Sequence, residues 1–289
     1  MDRPSPGPDG VHRREGDARP DPRVSAALRL CVPVPGTYTG TGTRGPVPGP
    51  ASVVACGICR GPVRPGFSTC FCCATVGRAL GHRLAPVVPV SVCAVPGPLH
   101  HALWGYKDAV VPEARRHFAA ILGPLLDGFV RAHQPCLEVL AGGALGLRVG
   151  VPSTRRPGPA PLGALGLVGL SDVLVRARGP LGHLQASPVG YEVPVERAAA
   201  VRGARVLVVD DVLTSGARAQ SAASALLSCG AAAVVVVVLG RAVRRAAGPL
   251  RSRYWDACAG GTFRLERCCL PWCSGLSRAR PGRYPAGLP

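Results

Sequence analysis

Aromatic side chains and lysine are the scarcest parts of this 289-residue sequence. Aromatic residues make up 4% of it, and Lys107 is the single lysine among 34 basic residues. The longest apolar run, residues 231–239, is too short to cross a bilayer, and the polar N-terminus lacks the apolar segment of a secretory signal. We therefore expect no membrane span and a cytoplasmic location.

A net charge of +18 is the second unusual feature, and nearly all of it comes from arginine. A composition rich in Ala, Gly, Pro, Arg and Val, with almost no lysine, indicates a bacterium with a GC-rich genome. The charge has two interpretations: attraction to polyanions such as nucleic acid, or compositional drift in the tails. The second is favoured, because the charge is heaviest after Gly240 and is not interleaved with aromatic residues, as a nucleic-acid platform would require.

The pattern of apolar and polar residues divides the chain into four parts. Residues 1–52 are dominated by Pro, Gly, Arg and Asp without a sustained apolar period, which predicts a disordered tail. Residues 53–80 carry a cysteine cluster, and residues 84–243 alternate between strand and helix patterns. Residues 244–289 form a basic tail that contains further cysteines.

Alternating strands and helices predict the fold class of the central part. The clearest unit is an apolar strand at 204–209, an alanine-rich helix at 217–229 and an apolar strand at 232–239, which together form a parallel βαβ unit. Pro89 places the first predicted strand, 86–95, at a sheet edge. We predict an α/β fold with a mainly parallel sheet flanked by helices. The other predicted elements are strands at 145–151 and 172–176 and helices at 100–107, 113–131 and 162–170.

Two adjacent carboxylates, Asp210 and Asp211, follow the first strand of this unit. Ligands of parallel sheets bind at the carboxyl ends of the strands. Paired carboxylates at a buried strand end repel each other and resist desolvation unless hydroxyl donors or a cation lie nearby. The two vicinal hydroxyls of a ribose are such donors, so we interpret Asp210 and Asp211 as sugar-binding, catalytic residues.

A polar loop connects the carboxylates to the alanine-rich helix. The loop consists of Thr214, Ser215, Gly216 and Ala217. Its backbone amides and the helix N-terminus suit a phosphate, and Gly216 permits close approach of the ligand. The alternative is that the two acids merely start a turn and that Thr214 or Ser215 caps the helix. The combined order of apolar strand, two acids, loop and helix favours a ribose 5-phosphate site.

Four cysteines form two Cys-x2-Cys knuckles, Cys56 with Cys59 and Cys70 with Cys73, separated by ten residues. Thiolates with this spacing can surround a tetrahedral Zn²⁺ ion, and we predict that all four are ligands. So small a module has little hydrophobic core, so the metal would supply much of its stability. Cys72 is not an expected ligand, and the alternative for the whole cluster is four unbound thiols.

Further cysteines lie in the basic tail and in apolar stretches. Those of the tail are Cys258, Cys268, Cys269 and Cys273. Their spacing does not match a familiar zinc ribbon, so a metal site, a redox pair and incidental thiols all stay open. The cysteines of the apolar stretches are interpreted as small core residues, and they are Cys93, Cys136 and Cys229.

Residues 206–217 resemble the signature of the type I phosphoribosyltransferases. Together with the cysteine module, residues 53–242 are similar to the ComF-type, amidophosphoribosyltransferase-like branch of that family. Residues 103–107 resemble a segment that follows the first strand in this branch, and residues 151–158 stand where the family has its pyrophosphate loop. The resemblance implies a sheet flanked by helices, Mg²⁺-bound phosphoribosyl diphosphate and displacement of pyrophosphate at the anomeric carbon of the ribose.

The same resemblance implies roles for individual residues. Asp210 and Asp211 would stabilise the positive charge that develops on the ribose. Mg²⁺ would act with Arg155 and Arg156 to stabilise the departing pyrophosphate. Arg218 stands where the family usually has Thr or Ser, and it would meet the 5′-phosphate as a charge.

Two functions are compatible with these patterns. The first is an enzyme that transfers the phosphoribosyl group and releases pyrophosphate. Lys107 is a candidate point charge that binds the substrate, and the alternative is that this single lysine is present by chance. The second is a non-catalytic protein that senses a phosphoribosyl metabolite, as an accessory protein of DNA uptake would. Its cysteine module and basic tails would then contact a protein or nucleic acid partner. The acidic pair favours the first function, and the arginine-rich tails favour the second.

Overall fold

The computed structural model describes residues 22–35, 54–154, 161–270 and 272–273. Arg155 and Arg156, predicted to act in the pyrophosphate loop, lie outside these residues. Within the described part of the chain, no helix combines the length and the apolar character needed to cross a bilayer.

A parallel sheet of five strands forms the centre of the molecule. In chain order, the strands are β1 (Val87–Ala94), β2 (Leu147–Gly150), β3 (Leu170–Ser171), β4 (Val175–Arg176), β5 (Tyr191–Glu192), β6 (Arg205–Leu213) and β7 (Ala233–Val243). The short strands β4 and β5 form a separate antiparallel pair. The order across the main sheet is β1-β7-β6-β2-β3, which makes β6 the central strand.

Helices cover both faces of this sheet. They are α1 (Pro22–Leu28), α2 (Phe71–Leu80), α3 (Pro98–Asp108), α4 (Pro112–Ala141), α5 (Ala198–Val201), α6 (Ala217–Ser228) and α7 (Pro249–Ala259). One hydrophobic core contains side chains of α2, α5 and α6, and a second contains those of α1, α3 and α4. Along β6, Val206 and Val208 belong to the first core, whereas Leu207 and Val209 belong to the second. This two-sided burial explains the continuous apolar sequence of the strand.

Three predictions about the sheet are confirmed. The fold is α/β, with a parallel central sheet between helices. β6, α6 and β7 form the predicted unit, and β6 pairs with β7 in parallel. β1 lies at the edge of the sheet, as the proline within it indicated.

The N-terminal segment, residues 22–35, covers the outer edge of β1. Val32 forms an isolated antiparallel bridge to this strand, its amide donates to Ser91 Oγ (2.8 Å), and Ser91 Oγ donates to the Val32 carbonyl (3.0 Å). The buried Ala27 belongs to the core that also contains α4. These contacts correct the prediction of disorder for the whole N-terminal tail. The segment is ordered because it pairs with an open strand edge and buries apolar surface.

Helical structure also differs from the sequence-based expectation in two places. α4 extends to Ala141 instead of ending near residue 131, and it continues through Pro124 and Pro135. Each proline removes one backbone hydrogen bond, but the buried apolar face of the helix holds the two halves in line. The helix predicted at 162–170 is a short 3₁₀ helix, Pro161–Leu165.

The first part of the predicted basic tail is folded as well. It contains α7, whose Tyr254 is fully buried beside Ala55 and Val92. The hydroxyl of Tyr254 donates to the carbonyl of Arg60 in the cysteine module. A buried tyrosine with a satisfied hydroxyl anchors this helix, so residues 249–259 belong to the folded part of the molecule.

Candidate functional site

Asp210 and Asp211 lie near the carboxyl end of the central strand, β6. Asp211 is buried and accepts hydrogen bonds from the Tyr106 hydroxyl (2.6 Å) and from the amide of Val212 (2.7 Å). Lys107 forms an ion pair with the same carboxylate. Asp210 is partly buried, and its Oδ1 accepts from the amide of Asp211 (3.0 Å). The two acids therefore have different surroundings despite being adjacent.

These surroundings move the two pKa values in opposite directions. Burial is the largest influence on Asp210, and with the charge of Asp211 it raises the pKa of Asp210 to about 7. Burial acts in the same direction on Asp211. The charge of Lys107 and the hydrogen bonds from Lys107 and Tyr106 outweigh it, so the pKa of Asp211 is lowered. One carboxylate is thus held ionised, whereas the other is poised to exchange a proton near neutral pH.

A cavity of about 200 Å³ opens in front of these carboxylates. It lies beside the carboxyl ends of β2 and β6, which are neighbours in the parallel sheet. Ligands of α/β proteins bind at such a place. The residues that line the cavity are Tyr106, Lys107, Asp108, Val151, Pro152, Ser153, Leu162, Asp210, Asp211 and Arg218.

The predicted phosphate loop lies between β6 and α6. Gly216 adopts a φ of 87°, in the left-handed region that favours glycine, and the helix starts directly after it. Ser215 is buried, and its Oγ accepts from the amide of Ala217 (3.4 Å), whereas Thr214 is exposed. Arg218 is exposed and donates to Thr154 Oγ1 (3.4 Å) across the cavity entrance. The loop has the helix N-terminus and the glycine that phosphate binding requires, and its serine also takes part in capping.

Most of the predicted site residues therefore lie close together. Lys107 is the informative case, because it was singled out as the only lysine and it pairs with a predicted catalytic acid. Tyr106 was not predicted as a site residue. An aromatic residue on an amphipathic helix is most simply assigned to the core, and only the fold brings its hydroxyl to Asp211.

Arg241, near the end of β7, is a second residue that the sequence did not indicate. It is buried, and its Nη1 donates to the carbonyls of Leu213 (3.0 Å), Thr214 (2.9 Å) and Ala242 (2.9 Å). It therefore holds the first residues of the phosphate loop in place. In the sequence it stands at the start of an arginine-rich region, and the sequence pattern there does not distinguish a buried arginine from a solvent-exposed one.

The four cysteines of the N-terminal cluster converge as predicted. Their Sγ atoms all lie within 4.8 Å of one another, and the side chains of Cys56, Cys59, Cys70 and Cys73 are buried. Cys59 Sγ and Cys70 Sγ are 3.6 Å apart. Thiolates that share a tetrahedral zinc at about 2.3 Å would be ~3.8 Å apart, so this cluster could bind such a metal ion.

Backbone amides and a nearby arginine contact the sulfur atoms of this cluster. The amide of Cys70 donates to Cys56 Sγ (3.3 Å), and the amide of Cys73 donates to Cys70 Sγ (3.5 Å). Hydrogen bonds with the other three cysteines lower the pKa of Cys59, and the charge of Arg241 adds to this effect, whereas hydrogen bonds within the cluster and burial raise the pKa values of Cys56, Cys70 and Cys73. The arginine that holds the phosphate loop is therefore also a neighbour of the cysteine cluster.

The cysteines of the C-terminal region separate into two groups. Cys268 and Cys273 lie beside His133 and Cys136 of α4. Cys258 is a buried residue of α7 and belongs to a different hydrophobic core. Cys136 is buried, as expected for a core residue, but its Sγ faces this second cluster. Sequence spacing did not reveal the cluster, because its ligands come from two distant segments.

Comparison with known proteins identifies one family. A family model described as the phosphoribosyl transferase domain matches residues 113–258, just over half of the chain. The match begins after Tyr106 and Lys107 and includes both aspartates, the phosphate loop and α6. No curated protein and no solved structure matches the chain.

Proposed function

The chain belongs to the phosphoribosyl transferase family, and we propose that it binds phosphoribosyl diphosphate with Mg²⁺ and transfers the phosphoribosyl group with release of pyrophosphate. One observation carries the proposal. Asp210 and Asp211 lie near the end of the central strand and line a cavity. A loop that contains Gly216 follows the strand and leads into the N-terminus of a helix. Acids for ribose hydroxyls and amides for a phosphate are thus only a few residues apart.

The proposed binding mode assigns different tasks to the two acids. Asp210 accepts from the amide of Asp211, and we assign its carboxylate to the ribose hydroxyls. Asp211 is fixed by Tyr106 and Lys107, and it contributes a negative charge whose position is set before the substrate arrives. The loop amides around Gly216 hold the 5′-phosphate, and Arg218 adds a positive charge at the cavity rim.

The proposed reaction separates charge as the bond between the anomeric carbon and pyrophosphate breaks. The ribose becomes positive, and the carboxylates of Asp210 and Asp211 stabilise it. Negative charge builds up on the pyrophosphate. In this proposal the positive charge of Lys107 lies near it, and Arg155 and Arg156 are predicted to supply further positive charge. Mg²⁺ bound with the substrate would neutralise part of that negative charge.

Asp210 fits a magnesium ion as an oxygen ligand. Burial and the adjacent charge of Asp211 raise the pKa of Asp210 to about 7, although the charges of Arg218 and Lys107 act in the opposite direction. A hard divalent cation relieves such repulsion, and carboxylate oxygens are the ligands that Mg²⁺ prefers.

The test is release of pyrophosphate from phosphoribosyl diphosphate, with Mg²⁺ and a panel of candidate nucleophiles. We expect release by the wild type and a loss of at least about a hundredfold in the Asp210→Asn/Asp211→Asn variant, because both groups that stabilise the ribose cation are neutral. Asp172→Asn is the control, since Asp172 is exposed and away from the cavity. Release that survives the double substitution would refute the assigned site.

A second function, binding without turnover, is favoured by the ion pair of Asp211. Lys107 and Tyr106 already satisfy this carboxylate before any substrate is bound, so only Asp210 is available to new donors. A sensor of a phosphoribosyl metabolite, with a protein or nucleic acid as partner, would fit this arrangement. Both functions predict stabilisation by phosphoribosyl diphosphate in a thermal-shift screen, and only the first predicts release of pyrophosphate. The screen would also include nucleotides and single-stranded DNA.

We also propose that the cysteine module, residues 53–80, is a structural zinc module of the ComF type ahead of the phosphoribosyltransferase domain, residues 84–243. The convergence of Cys56, Cys59, Cys70 and Cys73 supports zinc as the metal. The module packs against the core that contains α6, so zinc would stabilise the side of the molecule that carries the phosphate loop.

A further inference from the structure

A second group of side chains that could bind a metal ion lies in the hydrophobic core of α1, α3 and α4, whereas the N-terminal cysteine cluster lies in the other core. His133 and Cys136 are three residues apart on α4 and therefore face the same side of the helix. Cys268 and Cys273 come from the segment that follows α7. One ligand atom of each residue lies within 4.8 Å of those of the other three. Four side chains from two distant segments thus converge on one point.

The distances within this cluster fit a tetrahedral ion. His133 Nδ1 is 3.5 Å from Cys273 Sγ and 3.9 Å from Cys136 Sγ. An imidazole nitrogen and a thiolate that share a tetrahedral zinc would be ~3.6 Å apart. The amide of Cys268 donates to Cys273 Sγ (3.4 Å), a contact that stabilises a thiolate. Three of the four residues are buried, and Cys268 is partly buried.

The orientation of the histidine ring favours metal binding. His133 Nε2 lies 2.8 Å from the carbonyl oxygen of Leu265. A carbonyl can only accept a hydrogen bond, so the ring proton is on Nε2 and the lone pair of Nδ1 points to the thiols. Histidine ligands of metal ions usually donate their other ring nitrogen to a carbonyl or carboxylate in this way.

We propose that His133, Cys136, Cys268 and Cys273 bind a second zinc ion that fastens the C-terminal segment to α4. Three sulfur ligands and one nitrogen ligand form a closed set of four, which is characteristic of a structural zinc site. Binding releases the thiol protons to solvent and leaves a zinc ion bound by three thiolates and a neutral imidazole. The site is remote from the cavity, so it does not depend on the proposed function.

The metal would supply order that the segment otherwise lacks. Residues 261–270 contain no regular helix or strand, and they contact α4 through side chains such as Leu265 and Leu270. The polar face of this segment is exposed, including Arg264 and Arg267. A zinc ion shared with α4 would add a cross-link to the few apolar contacts of this short irregular segment.

The first test uses the wild-type protein purified without added metal or chelator. We expect about two zinc ions per chain by mass spectrometry of metals. The X-ray absorption spectrum should fit seven cysteine sulfurs and one histidine nitrogen over both ions, as the two clusters supply. About one zinc ion per chain with sulfur ligands alone would overturn the proposal, as would a disulfide between Cys136 and either C-terminal cysteine.

The second test assigns the ions to their clusters. Cys136→Ala and Cys273→Ala should each remove about half of the zinc, and Cys59→Ala should remove the other half. Cys269→Ala is the matched control, because Cys269 is buried beside the second cluster but is not part of it. Full zinc content in both Cys136→Ala and Cys273→Ala would refute the site. If these variants do not fold, the wild-type spectrum still decides.

Limited proteolysis supplies a readout of the cross-link itself. Loss of the second zinc should expose the chain to trypsin after Arg264 and Arg267, and cleavage there should be at least about tenfold faster in Cys273→Ala than in Cys269→Ala. The fragments are identified by mass, which separates these sites from other arginines. Equal cleavage rates in the two variants would contradict the proposed anchoring.

Discussion

Asp210 and Asp211 are adjacent in the chain, but the fold gives them opposite chemical properties. Lys107 and Tyr106 stabilise the ionised form of Asp211, whereas at Asp210 burial and the charge of Asp211 outweigh the charges of Arg218 and Lys107. The hydrogen bond from Tyr106 and the ion pair with Lys107, both from α3, are made to Asp211. The pair therefore combines a fixed charge with a group that titrates near neutral pH.

The raised pKa of Asp210 predicts a stability cost that grows with pH. Its pKa in the folded protein is about 7, above its ordinary value of 3.8, so its favourable contribution to stability is lost as the pH rises through 7. Asp210→Asn should therefore stabilise the protein by about 1–3 kcal/mol at pH 8 and by clearly less at pH 5. Urea unfolding at both pH values measures this difference. A gain in stability of the same size at both values would contradict the raised pKa.

At the same scale, the sequence predicted residue types better than contacts. The acidic pair was predicted from its place after an apolar strand, and Lys107 from its rarity. Tyr106 and Arg241 were not predicted, because their roles depend on hydrogen bonds to partners more than 25 residues away in the chain, Asp211 and Leu213. Such partners become neighbours only when α3 and β7 take their places around β6.

At the scale of helices and strands, β7 contributes to the site through the side chain of Arg241. Arg241 donates to the carbonyls of Leu213 and Thr214, and thereby fixes the end of β6 and the start of the phosphate loop. Its guanidinium also lies against Gly61 of the cysteine module. The contact is so close that a Cβ added to Gly61 would be 2.9 Å from Cζ of Arg241. The strand thus couples the loop to the module.

Replacing this arginine tests the coupling. Arg241→Met leaves two buried carbonyls without a donor, so we expect a stability loss of about 1–3 kcal/mol. Affinity for phosphoribosyl diphosphate should fall by about tenfold, equivalent to about 1.4 kcal/mol, because the loop is no longer held. Arg244→Met is the control, since Arg244 is exposed just beyond the strand. Calorimetric titration measures the affinity, and an unchanged value in Arg241→Met would argue against a role for the arginine in positioning the loop.

Elements with strong patterns were predicted well, and those held by tertiary contacts were not. The apolar runs around β6 and β7 predicted both strands and α6 between them. The second half of α4 was missed because Pro135 signals a break, although burial of the helix against the core keeps it continuous. Of the expected strand at 172–176, only β4 (Val175–Arg176) is a strand, and it pairs with β5 outside the main sheet, whereas β3 ends before residue 172.

For the whole molecule, two described segments outside the central domain, residues 22–35 and 249–259, are parts of the fold. Residues 22–35 cover the edge of β1, and α7 joins the cysteine module through Tyr254 and Arg60. The two cysteine-containing clusters lie in different hydrophobic cores, one on each face of the sheet. The composition of these segments predicted disordered tails because they contain few apolar residues. A few apolar residues are nevertheless enough to hold a segment against a surface that is already folded.

Loss of one hydroxyl should release the N-terminal segment. Ser91 is fully buried and makes two side-chain hydrogen bonds to Val32, so Ser91→Ala removes the hydroxyl partner of the amide and the carbonyl of this partly buried residue. We expect a stability loss of about 1–3 kcal/mol and faster tryptic cleavage after the exposed Arg29. The control is Ser252→Ala, which removes a long hydrogen bond on the surface of α7 (3.4 Å). Cleavage after Arg29 at the wild-type rate would indicate that the segment is held by other contacts.

The position of Arg241 links the chemistry of sulfur to that of the sugar phosphate. Its charge lies near Cys59 and Cys70, and its Nη1 holds the loop carbonyls. Because one guanidinium lies near the thiols and also binds the loop carbonyls, a change in the charge of these thiols acts on the same side chain that positions the loop.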